Sequence, residues 1–121
     1  MAEMQKPDEG APPVVNKAYD FVLWLLPKVE NFPRAHRFTV GDRLTANGLD
    51  LLTSLVEAAY AHKKDELLQT AKRKVNSTRY LLRLAKDLRL LSVDSYGFSA
   101  EKLDEIGRMV GGWRKAHPGR A

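Results

Sequence analysis

Residues 67–88 read LLQTAKRKVNSTRYLLRLAKDL, and this stretch decides the fold. Leu67, Leu68, Ala71, Val75, Thr78, Leu82, Ala85 and Leu88 recur at steps of three and four. That spacing stacks side chains on one face of an α-helix. No glycine or proline interrupts it. The helix is expected to begin near Lys64-Asp65 and to run to about Leu91, roughly seven turns at 3.6 residues per turn.

A single amphipathic helix must bury its apolar stripe against others, and the rest of the chain supplies them. Upstream, Val40, Leu44, Leu51, Leu55 and Ala58 or Ala59 repeat the same spacing. Thr39 is the expected N-cap of this helix, with Asp42 in its first turn, and the helix should end near His62-Lys63. Before it, Ala18, Val22, Leu25 and Val29 predict a first helix over about 16–29, which Pro27 should bend or end early. Residues 31–38, containing Pro33, read as the connector. Downstream, Asp94-Ser-Tyr-Gly97 reads as a turn. Ser99 then caps a last helix with Glu101 near its start and Leu103, Ile106, Val110 and Trp113 as its seam. Pro118-Gly119 should stop it. No strand-like alternation of useful length occurs. Four such helices with short connections predict an all-α, antiparallel up-down-up-down four-helix bundle.

The bundle is assigned to residues 14–117. Residues 1–13, with three prolines and mixed charge, read as a disordered tail, and 118–121 as a short C-terminal one. A length of 121 residues fits one domain. The chain has no cysteine, which excludes disulfides and thiolate metal sites and makes a reducing cytoplasm the expected location. The first residues lack the apolar stretch of a signal peptide. The longest apolar run, Phe21 to Leu26, is far short of the ~20 residues that span a bilayer, so no membrane partner is expected.

Net charge is +5, which favours anionic partners if the charge is organised. Between Leu67 and Val93 stand Lys72, Arg73, Lys74, Arg79, Arg83, Lys86 and Arg89, with the single acid Asp87. At 100° per residue Lys72, Asn76, Arg79, Arg83 and Lys86 share an arc of about 80°. That arc is expected opposite the apolar stripe. Like charges at i,i+4, such as Arg79 and Arg83, destabilise a helix unless something offsets them. Without nearby acids, the arc predicts an anionic ligand, and arginine's planar fork of donors suits phosphate. Acids from neighbouring subunits are the main rival explanation. Arg73 extends the surface. The arc holds no aromatic residue, so phosphate rather than base contacts are expected.

Phe21-Val-Leu-Trp-Leu-Leu26 is apolar around the whole circumference, whereas an outer helix of a monomer needs one stripe. Leu23 and Trp24 are therefore candidate contacts of a homo-oligomer, unless Trp24 simply covers the bundle edge.

Enzyme signatures are missing where they should stand. None of His36, His62 and His117 lies in a Glu-x-x-His pattern, against a di-iron bundle. No arginine precedes them at the spacing of the helical ribonucleases. There is no phosphate-binding glycine loop and no context for a serine nucleophile. Neither cofactor nor metal is expected. Gly107, Gly111 and Gly112 are expected at a close approach between helices.

Phe32-Pro-Arg-Ala-His-Arg-Phe-Thr39 with Gly41-Asp-Arg-Leu44 resembles the helix 1–2 junction of a family of bacterial four-helix-bundle proteins, including those encoded in intervening sequences of ribosomal RNA genes. Leu81-Leu-Arg-Leu-Ala-Lys-Asp-Leu-Arg89 and Ile106-Gly-Arg-Met-Val-Gly-Gly-Trp113 resemble the accessory variability determinant (Avd) proteins of diversity-generating retroelements. The similarity covers about residues 15–116. It implies a homopentamer with a basic outer surface that binds the retroelement reverse transcriptase and its template RNA or cDNA without catalysing a reaction. The family's basic surface falls here on Arg79, Arg83 and Lys86, with Lys72 and Arg73 as extensions. Arg34 and Arg37, in the junction, are read first as structural, bonding the C-terminal carbonyls of helix 1 or an acid such as Asp42, with ligand binding as the alternative. A structural protein associated with ribosomal RNA is the alternative reading.

Overall fold

The computed structural model describes residues 11–117. Four long helices form it: α1, Pro13–Glu30; α2, Asp42–Tyr60; α3, Asp65–Asp87; α4, Val93–Ala116. No strand occurs among the described residues. Each helix packs on its neighbour in the chain, and α4 closes the ring against α1. Short connections make the neighbours antiparallel, as the periodicity predicts. Of the tail assigned to residues 1–13, residues 1–10 lie outside the described residues, as do residues 118–121 and the stop at Pro118-Gly119; Ala11 packs against the core and Pro13 already belongs to α1.

The centre is aliphatic. Leu25, Leu44, Leu51, Leu55, Leu68, Leu82, Leu103 and Ile106 are essentially inaccessible. Burying each contributes about 1.5–3 kcal/mol relative to exposure. Gly48, in mid-α2, makes room for this core: a Cβ there would stand 2.9 Å from Leu25 Cδ2.

Several boundaries differ from expectation. The first helix starts at Pro13, a residue suited to the first helical position because its missing N–H would have no partner there. Pro27 neither ends nor shortens it; α1 continues to Glu30. Pro27 and Leu23 are both exposed, so the carbonyl that Pro27 leaves unbonded lies on the solvent side of the helix, where water can satisfy it.

Thr39 does not cap α2. The chain is already helical from Arg34, through a single turn Arg34–His36 and a wide π-turn Arg37–Gly41 that leads into α2. No free amide awaits Thr39, and its hydroxyl donates back to the His36 carbonyl at 3.2 Å. At the other end α2 stops at Tyr60, where Lys64 Nζ donates to the Ala58 and Ala61 carbonyls, each at 2.8 Å.

The α3–α4 connection is shorter than expected. α3 ends at Asp87, and α4 begins before the predicted turn: Asp94 to Gly97 are helical. Ser92 is the N-cap, its hydroxyl accepting from the Ser95 amide at 3.0 Å. Ser99 is buried two turns into the helix and donates to the Tyr96 carbonyl at 2.8 Å. The reversal after α3 is made by Arg89 at φ 66°. For a side-chain-bearing residue that left-handed conformation costs about 1–2 kcal/mol.

Candidate nucleic-acid interface

Placing α3 in the bundle divides the cations of α3 and of the turn after it into two groups. Lys74 reaches across to α2 and pairs with Asp50 at 3.3 Å. Arg79 reaches across to α4 and pairs with Asp104 at 3.0 Å. Lys86 stays on its own helix end, 3.4 Å from Asp87, with its ammonium 4.8 Å from the centre of the Tyr96 ring. The remaining four, Lys72, Arg73, Arg83 and Arg89, are exposed and make no ion pair among the described residues. Arg73 only donates to the Thr70 hydroxyl, at 3.0 Å.

Two expectations are corrected here. The basic arc does not lie opposite the apolar stripe. At 100° per residue its centre falls roughly 90° from the line through Val75, Thr78 and Leu82. Arg79 and Lys86 therefore sit on the shoulder facing α4 and are half-buried there. Nor is the arc free of acids. Asp104 lies beside the seam residue Leu103, and Gly107, one turn on, leaves the space that Arg79 occupies: a Cβ on Gly107 would stand 3.3 Å from Arg79 Nη2. The Arg79–Arg83 repulsion is thus offset within the chain. Lys72, Asn76 and Arg83 remain on one exposed face. Lys72 and Arg83 are three turns apart, about 16 Å along the helix.

The two α1 residues part company. Leu23 is 60% exposed. Trp24 is half-buried in the α1–α4 seam, its ring 6.1 Å from that of Phe21 and 5.3 Å from that of Phe98, with Lys28 over it. Trp24 covers the bundle edge, whereas Leu23 and Tyr19, one turn before it, are exposed.

In the junction, Arg37 Nε donates to the Phe32 carbonyl at 3.4 Å, a bond that holds the loop. Arg34 has no partner among the described residues. Close approach explains Gly107, but not Gly111 or Gly112, around which nothing lies within 4 Å. Among the described residues no group of acids and histidines could hold a metal ion, and no helix is long and apolar enough to cross a membrane.

The family model of bAvd-like proteins matches residues 14–117, nearly the whole described bundle. The chain belongs to the bAvd-like family. The family is one of accessory, non-catalytic Avd-type proteins, the branch to which the Ala-Lys-Asp-Leu-Arg and Gly-Gly-Trp segments point. Among curated proteins there is no match. A solved structure similar to the bundle is a protein of unknown function from the S23 ribosomal protein family of Bacteroides thetaiotaomicron. Its TM-score is 0.78 at 18% identity, over 84% of this chain and 95% of that one. At that identity the likeness shows the fold alone.

Asp104 as the partner of Arg79 was not foreseen from the spacing of α3 alone. The signal was an acid next to a seam position with a glycine one turn later. Nor did the spacing foresee the left-handed turn at Arg89, because a continuous helix was expected there.

Proposed function

We propose that this bAvd-like chain is a non-catalytic accessory subunit of a diversity-generating retroelement reverse transcriptase in the cytoplasm. In this reading it binds the polymerase and holds template RNA or nascent cDNA by its phosphates. The observation that carries the nucleic-acid part is the alignment of Lys72 and Arg83, unpaired, on one exposed face of α3. Arg73 adds a flanking charge. Arg79 and Lys86 line the shoulder of the same surface and contribute when phosphate competes with their acids. The family match supports the accessory role.

The mechanism is electrostatic. Each phosphate neutralised by a lysine or arginine releases condensed counterions, so binding should fall steeply with salt and discriminate little between sequences. Assembly into a homo-oligomer, a pentamer by the resemblance, would repeat the face and multiply the contacts. Exposed Tyr19 and Leu23 on α1 suit such packing.

The test is binding of labelled single-stranded RNA and DNA across a salt series, for wild type and a Lys72→Ala, Arg73→Ala, Arg83→Ala variant. The expected result is a weakened variant whose log–log salt slope is shallower by about 2, at roughly 0.7 per single-strand phosphate contact. Equal binding by both proteins would remove α3 from the interface. No binding by either at low salt would point instead to an acidic protein as the ligand of this face. Light scattering reads the subunit number, and copurification with the reverse transcriptase reads the partner.

A further inference from the structure

α3 ends in a hydrogen-bond pattern that calls for glycine and has arginine instead. The Leu90 amide donates to the Ala85 carbonyl and the Arg89 amide to the Lys86 carbonyl, both at 2.8 Å. This paired closure places the residue after the C-cap in the left-handed region, where glycine is the usual occupant. Arg89, at φ 66°, is the only side-chain-bearing residue among those described with a positive φ, and no described glycine has one.

The neighbours in this turn have structural work. Leu91 is buried and Leu90 packs partly against the core. Ser92 caps α4. The Arg89 side chain does none of this. It is exposed and makes no hydrogen bond or ion pair among the described residues. A cation at a helix C-terminus does interact favourably with the helix dipole, but Lys86 already stands in the last turn, and a lysine at 89 would serve that role equally. Strain retained at one position, with no intramolecular use for the side chain, is the pattern of a residue kept for a contact.

We propose that Arg89 is a phosphate-contacting residue, extending the α3 face around the end of the bundle. Lys86 and Arg89 both line the open depression beside the α3–α4 turn, and Arg83 lies one turn before Lys86. A nucleic-acid backbone following Lys72 and Arg83 along α3 would pass Lys86 before coming to Arg89 at the end of the helix. The ligand class is a phosphodiester strand, and the inference rests on the reading of α3 as a nucleic-acid surface.

The experiment compares wild type, Arg89→Gly, Arg89→Lys and Arg83→Ala in the full chain. Two quantities are measured: the melting temperature, and binding to labelled single-stranded RNA and DNA across a salt series. Arg89→Gly is expected to melt about 4 °C higher, because glycine relieves the backbone. It should nonetheless bind several-fold more weakly, with a salt slope lower by about 0.7. Arg89→Lys should keep most of the binding without the gain in melting temperature. If Arg83→Ala weakens binding and Arg89→Gly binds like wild type, the Arg89 inference is wrong and the α3 reading stands. A lower melting temperature for Arg89→Gly with unchanged binding would assign Arg89 to the helix dipole. Failure of wild type to bind either strand overturns both readings.

Discussion

Arg79 crosses from α3 to Asp104 on α4, meeting its carboxylate at 3.0 Å, so a cation in the middle of the basic arc is held by the chain's own acid. Both side chains remain 42% and 52% accessible. A pair so exposed contributes at most about 1 kcal/mol to stability. Its larger effect is on which charges a phosphate meets first.

Replacing Asp104 by alanine should therefore cost little stability and release Arg79 to solvent. Single-strand binding is expected to tighten, with a salt slope steeper by up to about 0.7. A salt titration with Asp104→Ala and with Arg79→Ala, Asp104→Ala checks this. The double variant should bind no better than wild type.

At Gly48, α2 packs tightly on α1, with Leu25 Cδ2 2.9 Å from the position of a Cβ. Alanine gains about 1 kcal/mol of helix propensity over glycine, and crowding a packed core costs about 1–3 kcal/mol. Gly48→Ala should lose about 1 kcal/mol in urea unfolding, and Gly48→Val should lose more.

The Thr78 hydroxyl is fully buried and has no hydrogen-bond partner among the described residues. Leaving such a group unsatisfied costs roughly 1–3 kcal/mol. Thr78→Val removes it at nearly the same shape, so the urea midpoint should rise with an unchanged m-value. A lower midpoint would mean that the hydroxyl bonds within the folded protein.

Two serines test where α4 begins. Ser92→Ala removes the acceptor of the Ser95 amide and should cost about 1 kcal/mol. Ser99→Ala removes only a back-bond to the Tyr96 carbonyl within an established helix and should cost less. The reverse order in thermal unfolding would place the start of the helix at Ser99.

Much of the architecture was legible because a helix's apolar face is a local property. Val75, Leu82, Leu103, Ile106 and Val110 announce burial by their spacing, and all are buried. Helix starts were less legible. Thr39 and Ser99 are good capping residues that lie within established helical segments, and Ser92 is the serine that caps. A cap preference states what a side chain can do, and the path of the surrounding backbone decides whether a free amide is there to receive it. The candidate site was half legible. Lys72 and Arg83 are exposed as the arc requires, but Arg79 and Lys86 lie on a shoulder that the apolar count alone did not locate.

By itself the sequence determined four amphipathic helices, their order around one aliphatic core, the concentration of cations on the third helix and the family. Each is carried by residue types at short spacings along the chain. Only the tertiary structure decided which of those cations are free, that Trp24 serves the bundle's own seam, and that Arg89 takes a glycine's backbone conformation. These depend on groups brought together from different helices, Asp50 to Lys74, Asp104 to Arg79 and Phe98 to Trp24, or on a chain reversal after Asp87 that helical periodicity cannot foresee.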